Sequence, residues 1–316
     1  MNESHYTNFN QGITAIDTGY HQPQFDASHL IVRNGRAAFV DTGTSLSLDR
    51  LLGGLEHADV AVADVDYVFI THIHLDHAGG AGALMQHLPN ARCIVHPRGA
   101  KHLVEPDKLV AGTIAVYGKN EFSKLYGEIV PIPASRVVES EDGARFNVGD
   151  STFELIDTPG HALHHYSIID RDSNSVFTGD TFGVSYRIFD TANGAFVMTS
   201  TTPTHFDPDQ LHASIDRLMS YAPEAAFLTH YSRVTDLPRL ADELHQGIDQ
   251  YVDIARACAD AGDRVSCMKT RMHAWLVERL NAHGCNLPED VRDQWLAMDI
   301  DLNAQGLAVW LDRTGR

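Results

Sequence analysis

Cysteine is scarce in this chain: four among 316 residues (Cys93, Cys258, Cys267 and Cys285), with no CxxC pair. That excludes a dense disulfide framework, and the four are expected as reduced, buried or half-buried thiols. No run approaches the roughly 20 apolar residues that a membrane span needs. The first thirty residues lack a basic start followed by an apolar stretch, so no signal peptide is expected and the cytoplasm is the expected compartment. Positive charge is short as well. Twenty-four Lys and Arg face 42 Asp and Glu, a formal charge of −18. Such a field repels phosphate backbones and anionic surfaces, so neither nucleic acid nor a membrane is an expected partner. Internal repeats and low-complexity tracts are missing too. What is present is an ordinary globular composition, 43% hydrophobic and 21% charged, long enough for one large α/β core with residues to spare. One residue type is in excess: there are 19 histidines.

The first two-thirds of the chain alternates short apolar runs with polar turn signals. HLIVRNGRAAFVDTG reads as a hairpin, His29 to Val32 and Ala37 to Val40, turning at Asn34-Gly35. VDYVFITH, Val65 to His72, reads as a strand buried on both faces. Residues 44–57 and 79–88 have helical spacing, and Asp207-Pro208 opens another helix with Asp207 as its cap. From Pro238 the pattern is helical throughout, with stripes Leu240–Leu244–Ile248–Tyr251 and Met268–Met272–Leu276–Leu280 and a third run from Pro288. The expected organisation is a catalytic domain over 1–237 and an α-helical extension over 238–316. Residues 97–133 are expected as an insertion forming a lid, carried by Leu109, Ile114, Tyr117, Phe122 and Tyr126.

The sharpest signal is Thr71-His72-Ile73-His74-Leu75-Asp76-His77-Ala78-Gly79-Gly80. Four ligand-capable side chains stand in six positions directly after a buried strand. Alternation puts His72 and His74 on one side of an extended segment, and Asp76 and His77 begin the helix that follows. His161, Asp180 and His230 repeat this placement after IDTPG, VFTG and AAFLT. A lone histidine is usually a hydrogen-bonded core or surface residue. Seven zinc- or iron-compatible residues in equivalent places outweigh that reading.

These motifs resemble the metallo-β-lactamase fold superfamily, and within it the glyoxalase II-like and lactonase-like hydrolases, over roughly residues 12–235. The resemblance implies a four-layer αββα sandwich, here with a C-terminal α-helical extension. It implies two divalent ions, zinc first with iron or manganese as alternatives. His72, His74 and His161 would hold one, Asp76, His77 and His230 the other, and Asp180 would bridge them. Asp41 matches the superfamily's early aspartate, which orients a ligand histidine; its plainer reading is a turn residue. Tyr186 is a candidate oxyanion donor by looser analogy, and a buried aromatic otherwise. His165 matches the second histidine of GHxxGH, with His164 replacing the usual glycine. The implied reaction is hydrolysis of a small-molecule ester, thioester or lactone by hydroxide generated at the metals, with Asp76 shuttling a proton to the leaving group and Asp180 holding the pair together. His74 stands where the flavin-coupled di-iron branch has Glu, and Asp180 where true β-lactamases have Cys or His. A mononuclear iron dioxygenase acting on a persulfide shares nearly the same motifs. An N-acyl homoserine lactone lactonase is the specific hydrolase alternative, and a non-catalytic binding protein would have lost a ligand. The tail is expected to pack on the flank of the fold or on a second copy in a homodimer.

Overall fold

A computed structural model describes residues 5–201 and 205–315; of Val116 and Tyr117 only the backbone is described, so Tyr117 as a lid side chain lies outside the described residues. The chain divides into two compact units. The first comprises Met1–Asp157, His164–Gly179 and Ala226–Arg233, the second Thr158–Leu163, Asp180–Ala225 and Val234–Arg316.

The first unit carries a seven-stranded sheet of β1 (Tyr6–Phe9), β2 (Ile13–Asp17), β3 (Ala27–Arg33), β4 (Arg36–Val40), β5 (Val65–Phe69), β6 (Arg92–Val95) and β7 (Val137–Glu139), in that order. β1 to β4 are antiparallel, and β4 to β7 are parallel. The change follows from the connections. Asn34 and Gly35, both at positive φ (45° and 78°), close the β3–β4 hairpin in two residues. Parallel neighbours need crossovers, which are helical here: α1 (Leu48–His57); α2 (Leu75–Ala78) with α3 (Ala81–His87); and α4 (Pro97–Val104), α5 (Asp107–Tyr117) and α6 (Lys119–Tyr126). The segment read as an insertion is this last crossover. A second sheet has the order β13-β12-β11-β10-β9-β8. Its strands are β8 (Arg145–Val148), β9 (Ser151–Asp157), β10 (Tyr166–Asp170), β11 (Ser175–Gly179), β12 (Ala225–Leu228) and β13 (Ser232–Val234).

β4 shows why these strands read as continuous apolar runs. Ala37 and Phe39 belong to a core shared with Leu51 and Leu55 of α1 and Leu84 of α3. Ala38 and Val40, pointing oppositely, pack with Phe153, Ile168 and Phe177 of the second sheet. A strand covered by helices on one face and a sheet on the other has no polar side to show.

The second unit contains α7 (Pro208–Ser220), α8 (Leu237–Cys258), α9 (Arg264–Ala282) and α10 (Glu289–Thr314). Asp207 caps α7 as expected, its carboxylate accepting from the Gln210 amide at 3.0 Å. The stripes of α8 and α9 are buried from Leu240 to Cys258 and from Met268 to Leu280. The second unit takes in the expected extension and also Asp180–Ala225 from within the expected catalytic domain.

One expectation is overturned. Cys258 and Cys267 are not reduced thiols but a disulfide, with Cα atoms 5.8 Å apart. The tight turn after α8 brings the end of one helix against the first turn of the next, so cysteines nine residues apart fall within bridging range. Cys93 and Cys285 are free. Burial pushes the Cys93 thiol up to about 12, which makes it inert.

Candidate metal centre

β5 ends at Phe69, and the chain then passes through buried Ile70 and Thr71 into His72, with His74 at the N-terminus of α2. His72 Nε2 and His74 Nδ1 lie 2.8 Å apart, and the rings of His72 and His77 have centroids 4.0 Å apart. Asp76 Oδ2 lies 3.5 Å from His230 Nε2 and 3.9 Å from His77 Nε2. Asp76, His77 and His230 offer ligand atoms that all lie within 4.8 Å of one another.

Two hydrogen bonds set how those rings present themselves. His77 Nδ1 donates to Asp41 Oδ2 at 2.8 Å, and His230 Nδ1 donates to the Phe25 carbonyl at 2.9 Å. A carbonyl can only accept, so neutral His230 has its proton on Nδ1 and its lone pair on Nε2. The buried Asp41 carboxylate imposes the same tautomer on His77. Two nitrogen lone pairs and a carboxylate oxygen therefore converge, and that donor set fits a divalent ion of zinc type.

Asp41 stands at the end of β4 in the left-handed region, φ 57°. Its carboxylate also accepts from the Thr71 amide (2.8 Å), the Thr71 hydroxyl (2.8 Å) and the Thr229 hydroxyl (2.9 Å). The two threonines immediately precede His72 and His230. One buried carboxylate thus ties together the strand ends carrying both histidines. Sequence reading missed these threonines, although the repeated Thr-His pair was their signal.

His161 and Asp180 belong to the second unit, where His161 Nε2 lies 3.3 Å from Asp180 Oδ2. Asp180 directly follows Gly179 of β11, and the segment Thr158–Leu163 leaves β9 and returns at His164. That segment is fastened by α7: the Ser214 hydroxyl donates to the Pro159 carbonyl at 2.6 Å, and the Asp207 amide to the Gly160 carbonyl at 2.9 Å. A Cβ at Gly160 (φ 123°) would stand 2.3 Å from the Leu211 nitrogen, so only glycine allows the approach. His165 lies in the first unit, its ring centroid 4.9 Å from that of His72, with that of His164 at 6.4 Å. Tyr186 is buried in the second unit and donates its hydroxyl proton to Asp299 Oδ2 at 2.9 Å.

Four further residues surround His230 directly or through one another. Phe25 packs edge-on to it at 5.7 Å, Tyr20 follows at 6.1 Å, and the Tyr20 and Tyr126 hydroxyls meet at 3.3 Å. The crossover helix α6 therefore reaches the histidine cluster through an aromatic ladder. Asp26 is fully buried; burial pushes its carboxyl up to about 7 against the opposing pull of His230 and His77. Its Oδ2 accepts from the Thr18 hydroxyl at 2.8 Å. Nothing in the sequence marked Asp26, because its environment is made by residues remote in the chain.

Residues 23–230 match the metallo-β-lactamase superfamily. The chain belongs to that superfamily. Its fold, two mixed sheets with flanking helices and further helices at the C-terminus, is the superfamily's, and superfamily members are mostly hydrolases. A metallo-β-lactamase fold-containing protein of Sulfurisphaera tokodaii is 28% identical over 239 residues, covering 74% of this chain and 82% of the relative. An N-acyl homoserine lactonase of Rhizobium radiobacter is 34% identical over 114 residues, 36% of this chain and 38% of that enzyme. A solved archaeal superfamily protein from Sulfolobus tokodaii superposes with a TM-score of 0.67 at 22% identity, covering 94% of this chain and 98% of that one. Among the described residues, no helix is long and apolar enough to cross a membrane.

Proposed function

We propose that this superfamily hydrolase carries a dinuclear centre and cleaves a small-molecule ester, thioester or lactone. The observation that carries the reading is the Asp76–His77–His230 convergence, with both imidazole lone pairs turned inward by Asp41 and the Phe25 carbonyl. His72 and His74 stand beside it; in this reading His161 and Asp180 would complete the set, with Asp180 as the bridging carboxylate. Zinc is the ion best matched to this nitrogen-rich donor set. Bound divalent ions would supply Lewis acidity, lowering the pKa of water from about 15.7 towards about 7 and polarising a substrate carbonyl.

The protein's own residues do the rest. Asp41 holds the His77 ring in one tautomer and orientation, the kind of support whose loss costs roughly 10–100-fold in metal affinity. Asp76 is half-buried, and its carboxylate is assigned the transfer of a proton to the leaving group. The Tyr126–Tyr20–Phe25 ladder presents apolar faces that exclude bulk water and make α6 part of the lid. The Tyr186 hydroxyl donates a hydrogen bond to Asp299 and is left out of the acting set. The lactonase relative supports a lactone as the first substrate to try.

The test is metal quantification on purified protein, coupled to a panel of lactones, thioesters and phosphodiesters. Two zinc-class ions per chain and turnover of a lactone or thioester are expected, and both should be lost in Asp180→Ala while the protein stays soluble. One iron per chain with oxygen uptake on a persulfide would overturn the hydrolytic reading.

A further inference from the structure

The helical unit holds a second histidine cluster, unconnected with the motifs above. α7 carries His212 and Asp216, and α8 carries His245 and Asp249, each an i, i+4 pair on one helix face. The helices join these pairs crosswise. His212 Nε2 lies 3.2 Å from Asp249 Oδ1, and His245 Nε2 lies 3.2 Å from Asp216 Oδ1. Between them the imidazoles are parallel, 9° apart in plane and 4.9 Å between centroids, and their Nδ1 atoms approach to 2.6 Å.

The tautomers decide what this arrangement wants. Asp249 accepts from His212 Nε2, which leaves the neutral His212 ring its lone pair on Nδ1, and the Asp216 carboxylate 3.2 Å from His245 Nε2 favours the same tautomer there. Two lone pairs then face each other at 2.6 Å, which is repulsive unless a positive charge sits between them. The arrangement of carboxylate, imidazole N–H and outward nitrogen is also the one metal-bound histidines adopt, where a carboxylate partner fixes the ring and raises its basicity. Here it occurs twice, aimed at one point.

We propose that His212 and His245 form a second metal site, taking one divalent transition-metal ion of the zinc, nickel or copper class between their Nδ1 atoms. Asp249 and Asp216 act as positioning residues, and water fills the remaining coordination places. Zinc bonds imidazole nitrogen at about 2.0–2.1 Å, which sets two tetrahedral ligands about 3.3 Å apart. The pair must therefore open by about 0.7 Å, which side chains 27% and 26% exposed can do by rotating. His212 and Asp249 also line a cavity of about 370 Å³, which gives a hydrated ion access. With two protein ligands the site is weaker than the candidate centre, and its ion is exchangeable.

The test uses the full chain with its resident metal, desalted and titrated with Zn²⁺ by calorimetry. One further equivalent should bind beyond the resident content. It should vanish in His212→Ala and in His245→Ala, and weaken about tenfold or more in Asp216→Asn and Asp249→Asn, with resident metal and helicity unchanged. In the wild-type protein, histidine ¹⁵N spectra should show both Nδ1 resonances moving on zinc addition while both Nε2 stay protonated. No further equivalent (a shared proton only), or an equivalent untouched by either alanine variant, would overturn the proposal.

Discussion

What a histidine does in this chain is decided by what its second nitrogen meets. In His77 and His230 one nitrogen is spent on an oxygen acceptor and the other is turned towards Asp76. His29 shows the opposite outcome. It lies on β3, buried against Phe177 and Phe227, with the Ser232 hydroxyl 3.3 Å from Nε2. Burial lowers it from 6.5 to about 3, so it stays neutral where an exposed histidine would charge. Between pH 6.5 and about 3 the unfolded chain binds this proton and the folded chain does not. Stability contributed by His29 is therefore complete above 6.5 and is lost as pH falls through that window, by about 1.4 kcal/mol for each pH unit. His29→Phe should flatten the acid limb of urea stability measured against pH; an unchanged limb would show that His29 is not held neutral. The ligand-type residues were legible because each follows an apolar strand, a pattern local in sequence. The Phe25 carbonyl and Asp26 were not, because a backbone acceptor leaves no mark on residue identity and burial is made by remote segments.

Among the elements, those with local punctuation were readable. Asn34-Gly35 announced its hairpin and Asp207-Pro208 its helix. The mixed texture of residues 97–133 resolved into three helices, α4 to α6, which have few buried positions to set a period; α5 has none among its described side chains. The Cys258–Cys267 bridge was hidden because it depends on how α8 and α9 meet, not on a spacing motif. Closing a loop over nine residues removes denatured-state entropy worth about 3 kcal/mol. Reductant should therefore lower the urea midpoint of the oxidised protein, and Cys258→Ser should start at the lower value and ignore reductant. A wild-type midpoint indifferent to reductant would mean the bridge contributes nothing.

For the molecule as a whole, the second unit joins the C-terminal helices to residues 180–225, which lie before the expected boundary at 237/238. The buried Thr201 amide donates to Asn303 Oδ1 at 2.6 Å, Gly183 abuts Leu244, and Arg279 donates to the Val197 carbonyl at 3.2 Å. Hydrophobic periodicity shows that helices α8 to α10 bury a face, but not that its partner is 180–201. A chain ending at residue 237 should accordingly leave Phe189, Phe196 and Val197 exposed, expressing poorly and retaining little metal. A soluble truncation with full metal content would show the helices to be a dispensable appendage.

The segment Thr158–Leu163 gives this organisation an evolutionary meaning. In sequence it lies between β9 and β10, and its backbone carbonyls accept from the Asp207 amide and the Ser214 hydroxyl within the helical unit. His161 thus belongs to the helical unit, and that unit's own α7 fastens the segment that carries it. Drift in α7 would reposition His161 while the strand-end motifs stay constant. A search for adaptive change confined to those motifs would look in the wrong half of the chain.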